Sequence, residues 1–158
     1  MYSIEVASLT VLTMLAVAGA YSDWRYRRLP NVLCLVTFGA GLVLGVVAHG
    51  AAWASIAALH AVLSLLVGMF LFSRGWIGGG DAKFYAALAV WFPLSMAWAL
   101  ITGVSLVGLV LLMVWFPFRK NLSLKTGQHT QTTDFAKLPF GVAIAGGALA
   151  TMILTQAI

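Results

Sequence analysis

Hydrophobic residues run along this chain in long blocks, each closed by glycine, proline or charge. The first block covers residues 4–21, the second 32–48 and the third 52–72. A membrane-crossing helix needs roughly 20 apolar residues, so each block predicts one pass. A fourth helix begins after Asp81, and the apolar stretch 82–117 can hold two passes of roughly 18 residues, with the turn at Trp91, Phe92 and Pro93. The fourth helix is then unusually short. A sixth covers 140–157 after Leu138 and Pro139, and its Gly141, Gly146 and Gly147 permit close helix packing. The pattern predicts an all-α polytopic membrane protein with six transmembrane helices in one domain over residues 1–158.

Composition agrees with a bilayer as solvent: 62% of the residues are hydrophobic, 8% are charged, and the mean hydropathy is +1.01. Six passes with short connections leave no room for a soluble catalytic domain, so any chemistry falls to helix ends, loops or the bundle interior. Cys34 is the single cysteine. That excludes an intramolecular disulfide and a cysteine-rich zinc site, and Cys34 reads as a buried thiol. The histidines His49, His60 and His129 follow no metal-ligand spacing, so no metal and no cofactor are expected. Residues 4–21 resemble a signal peptide in hydrophobicity, but no basic side chain precedes them and a basic cluster follows, as in a retained first helix.

Charge sets the expected orientation. The nine basic residues fall in three segments: Arg25, Arg27 and Arg28 after the first helix, Arg74 and Lys83 after the third, and Arg119, Lys120, Lys125 and Lys137 after the fifth. With six passes these segments share one face, and the loops near His49 to Trp53 and near Pro93 carry none. Lys and Arg are retained on the cytoplasmic side, which puts both termini outside. The net charge of +5 then serves topology and contact with anionic membrane lipid. Nucleic acid is not an expected partner, because no soluble basic surface is available. Trp24, Trp53, Trp76, Trp91 and Trp115 fall mostly near predicted helix ends and read as an interfacial belt.

Acidic residues are scarce: Glu5, Asp23, Asp81 and Asp134. Asp23 stands where the first helix ends, and Asp81 where the fourth begins, directly after Gly78, Gly79 and Gly80. Singly, each has a structural reading: Asp81 as a helix cap, Asp23 as a boundary residue paired with arginine. Together on one face they suit hydrolysis. Two carboxylates sharing a site do not readily both ionise, so one activates water while the other donates a proton. Helix position favours Asp81 as the ionised base, whereas Arg25 and Arg27 pull Asp23 toward that role instead. Glycines before a helix also cradle phosphate, but no Lys-Ser or Lys-Thr follows them here. Asp134, in the longest polar loop, reads as solvated.

The stretch Asp23-x-Arg25-x-Arg27-x-Leu29-Pro30-Asn31, followed by Gly78-x-Gly80-Asp81-x-Lys83, resembles the paired motifs of the type IV prepilin peptidases, the GxGD class of aspartyl proteases. Leu138-Pro139-Phe140-Gly141 resembles a Pro-aromatic-Gly element in that family's last helix. The resemblance implies that Asp23 and Asp81 are catalytic. It also implies a prepilin substrate, cut before its hydrophobic segment at the cytoplasmic face of a bacterial inner membrane, with the substrate helix docking laterally. Larger members carry Cys-x-x-Cys elements and methylate the product. This chain lacks those cysteines, so cleavage without methylation is expected, as in the short enzymes of tight-adherence (Tad/Flp) pilus systems or archaeal preflagellin peptidases.

Around the pair, Arg25 and its neighbours read as topological charges, Lys83 as a substrate contact, an influence on Asp81 or a lipid anchor, and the glycines as a hinge. Pro30 reads as a helix start and Asn31 as a cap or orienting group. Two other readings remain open. A non-enzymatic scaffold of a secretion assembly would tolerate loss of either aspartate. A small ion-coupled transporter would be expected to place an acid near the middle of a span.

Overall fold

A computed structural model of the chain describes residues 2–126 and 138–155. They form six α-helices: α1 (Tyr2–Tyr26), α2 (Asn31–His49), α3 (Ala51–Ser73), α4 (Gly79–Ala89), α5 (Ala97–Thr126) and α6 (Phe140–Thr155). One 3-10 turn, Leu94–Met96, leads into α5. No strand occurs among the described residues, as expected of an all-α protein.

Among the described residues, four segments are long and apolar enough to cross a membrane: Ser3–Tyr26, Asn31–His49, Ala51–Ser73 and Leu94–Trp115. The 11 residues of α4 rise only about 16 Å, roughly half the hydrocarbon thickness, and the 16 residues of α6 are also short.

Packing inverts the soluble pattern. The buried stripe of α2 is Cys34, Thr37, Gly41 and Gly45, spaced three and four residues apart, while Val32, Leu35, Val43 and Val47 point outward. Between helices in lipid no hydrophobic force separates large from small side chains, so close approach favours small residues inside and leaves branched ones to the lipid. The rest of the core follows this rule with a few large plugs. Phe84 of α4 is fully buried against Gly19 of α1, where any Cβ would strike its ring. A Cβ on Gly147 of α6 would fall on the backbone of α5 at Val104.

The turn after α4 falls at the break the sequence predicted, between Ala89 and Leu94, and it is buried in the bundle. Val90, Trp91 and Phe92 are buried. Backbone groups released at a helix end inside a bundle must find partners in the protein. Here the Nδ1–H of His60 donates to the Phe92 carbonyl at 3.1 Å, and the Trp91 indole donates to the Thr37 carbonyl at 3.1 Å. Trp91 is thus a core residue and not part of an interfacial belt. The chain then returns along α5 to the starting end, where Trp115 meets Trp24 edge-on at 5.6 Å and lies under Arg27.

The fifth helix does not stop at Pro117. It continues to Thr126, so Arg119, Lys120 and Lys125 belong to its last turns and not to a loop. Pro117 removes one backbone donor without ending the helix, and lysine, arginine and leucine beyond it favour helix. His129, Asp134 and Lys137 lie outside the described residues.

Candidate active site

Asp23 sits in the last turn of α1. Arg27 stops the helix by taking a left-handed conformation, φ 54°, while its amide still donates to the Asp23 carbonyl at 3.0 Å. Pro30 then caps α2. The Asp23 side chain, 8% exposed, turns inward to the start of α6, where its Oδ2 accepts the Gly141 amide at 2.7 Å and a further backbone bond comes from Val142. The buried Pro139 opens α6 and sets this end, where free amides and the helix dipole both favour an anion. A Cβ on Gly141 would stand 2.9 Å from the same carboxylate oxygen, so only glycine allows the approach.

Asp81 is the third residue of α4 and reaches back to accept the amide of Gly78, the residue that caps the helix. A Cβ on Gly78 would lie 2.7 Å from Asp81 Oδ2, and one on Gly80 would touch Leu29. The glycines are there for space. The loop's left-handed residue is Gly75, at φ 73°. Burial, and then the negative charge of nearby Asp23, push the Asp81 carboxyl up to about 6, with the Gly78 amide pulling the other way. Asp23 thus lies close enough for its charge to act on Asp81.

Lys83 is exposed and does not turn to Asp81. Its Nζ donates to Asn31 Oδ1 at 3.1 Å, tying α4 to the start of α2. Arg25 is exposed over the ring of Tyr26 at 5.5 Å; the guanidinium that interacts with Asp23 is that of Arg27. Cys34 is a buried free thiol.

A cleft of about 440 Å³ leads away from Asp81 between α3 and α5, with α4 and the start of α6 also lining it. Asp81 lies at one end and His60 lines it farther in. Leu63, Val67 and Ile101 at its walls are also exposed on the outer surface of the bundle, so the cleft opens sideways. Tyr85, one turn beyond Asp81 on the same face of α4, also lines it. The sequence had singled out neither His60 nor Tyr85 for the site. The spacing from Asp81 to Tyr85 was the available signal for the latter. Among the described residues no three His, Cys, Asp or Glu side chains gather in a metal-binding cluster.

A helical membrane bundle that brings two carboxyls from different helices to one end, with an apolar cleft opening beside them, defines a membrane-embedded site suited to acid-base chemistry. A profile of the type IV leader peptidase family matches residues 10–113, which include both aspartates, all of α2 to α4 and parts of α1 and α5. The chain belongs to that family and is a leader-peptidase-type protease. Searches of curated proteins and of solved structures returned no match.

Proposed function

We propose that the protein is an aspartyl endopeptidase that removes the leader from prepilin-like precursors of the Flp type, at the cytoplasmic face of a bacterial inner membrane. The observation that carries the reading is the charge of Asp23 acting on Asp81 within a leader-peptidase family chain. Both termini lie outside, with α4 and α5 entering and leaving from the cytoplasmic side.

The roles follow from what each carboxyl accepts. Asp23 receives backbone amides at the start of α6 and interacts with Arg27, whereas Asp81 has one backbone amide and faces Asp23. Asp81 therefore keeps the shared proton and Asp23 is the ionised base. This reverses the expectation from helix position alone, because Asp23 ends α1 but also begins α6 electrostatically. Asp23 takes a proton from water as the water oxygen attacks the scissile carbonyl, and Asp81 gives its proton to the carbonyl oxygen. Collapse of the tetrahedral intermediate breaks the C–N bond. The amine leaves with the proton held by Asp23, and Asp81 recovers its own from the collapsing hydroxyl.

The precursor's apolar helix enters through the lateral cleft with its leader on the cytoplasmic side, and membrane lipid fills the remaining surface. Lys83 and Asn31 hold α4 in place rather than touching the reacting atoms. No methyl transfer accompanies cleavage.

The test is a co-expressed pilin precursor whose mature N-terminus is read by mass spectrometry. Wild type yields an unmethylated product, and Asp23→Asn and Asp81→Asn, expressed at equal levels, yield none. Cleavage by either variant removes that aspartate from the mechanism.

A further inference from the structure

Tyr85 is a polar group of the cleft that the mechanism above leaves without a task. Its hydroxyl is withdrawn from solvent and, among the described residues, has no hydrogen-bond partner. A buried hydroxyl in that state is costly. The residue stands four positions after Asp81, on the same face of α4 and in the same cleft, about 6 Å deeper along the helix.

A peptide bond cut by a carboxylate pair has to leave its helix, because attack needs the carbonyl free of helical hydrogen bonds. The unwound stretch then carries main-chain carbonyls into a cleft walled largely by Leu63, Val67 and Ile101, where no water replaces the lost bonds. An extended strand advances about 3.3 Å per residue, so a donor about 6 Å beyond Asp81 lies opposite the second residue past the cut. We propose that, as the precursor enters, the Tyr85 side chain turns its hydroxyl from this buried position into the cleft and donates a hydrogen bond to a main-chain carbonyl about two residues on the membrane side of the scissile bond, holding that segment extended for cleavage. The assignment rests on the peptidase reading for the identity of the ligand. It adds a substrate contact that is independent of proton transfer.

The variant Tyr85→Phe keeps the ring and removes only the hydroxyl. Precursor affinity is measured in detergent or nanodiscs in the Asp81→Asn background, where no turnover is expected, and melting temperature is measured alongside. The expected result is affinity about tenfold weaker, the worth of one hydrogen bond, with a melting temperature equal or higher because an unpaired buried hydroxyl is gone. Unchanged affinity overturns the proposal. So does a lowered melting temperature, which would mean that the hydroxyl serves the fold. Steady-state cleavage with Asp81 intact gives a second readout, a rise in KM with Tyr85→Phe larger than any fall in kcat. Turnover persisting in Asp81→Asn alone would sink the peptidase reading, and the affinity comparison would still decide whether Tyr85 touches the precursor.

Discussion

The amide of Gly141 donates to the carboxylate of Asp23 at 2.7 Å, across 118 positions of sequence. This contact joins the last described helix to the first and gives Asp23 a second helix terminus. The family profile ends at residue 113, so α6 completes a site whose aspartates both lie inside the matched region.

Gly141→Ala places a methyl group 2.9 Å from the Asp23 Cβ and Oδ2. The carboxylate has to shift by a few tenths of an ångström or more and lose its amide. Cleavage should fall about 100-fold, the usual cost of a misplaced catalytic group, with the protein still extracted as a folded species. Initial rates on a precursor, with size-exclusion profiles as the folding control, check this.

The pH profile follows from Asp81. Its folded-state value of about 6 lies above the 3.8 of a free aspartate, so the folded protein binds that proton more tightly than the unfolded chain. The stabilisation is complete below pH 3.8 and is lost as the pH rises through about 6. The wild-type melting temperature should therefore fall across that window relative to Asp81→Asn. In wild type, kcat/KM should decline on the alkaline side of the same value as the proton donor is lost.

His60→Leu leaves the Phe92 carbonyl buried without its 3.1 Å partner. The expected cost is about 1 to 3 kcal/mol, read as a lower melting temperature in detergent. Because α4 carries Asp81 at its other end, the same variant should also slow cleavage.

Gly147→Ala and Gly39→Ala make a matched pair. The first drives a methyl into the backbone of α5 at Val104, whereas the second meets nothing within 4 Å. Gly147→Ala should cost about 1 to 3 kcal/mol by overpacking. Gly39→Ala should stabilise by about 0.5 to 1 kcal/mol, because alanine loses less backbone freedom in a helix. Thermal melts of both check the α5–α6 packing.

Helix number, the membrane setting, the break at Trp91 to Pro93 and the two aspartates could all be read from the chain, because each depends on local signals: blocks of apolar residues, helix breakers and scarce acids at helix ends. The glycines of the 78–80 triplet were legible as a motif, but their purpose was not. Whether a glycine turns the chain or makes room depends on what stands opposite it, and here Gly75 does the turning. Lys83 could be read as an influence on Asp81 because it stands only two residues on. A helix sends residues two apart to different faces, and Lys83 went to Asn31.

Sequence alone thus established an all-helical membrane chain with a pair of acids at helix ends, since hydropathy and charge act over one element at a time. Which helix each acid answers to is a matter of contacts between elements far apart in the chain. Folding set Asp23 on the amide of Gly141, ended α4 inside the bundle on His60, and opened the cleft in which Tyr85 stands beside Asp81.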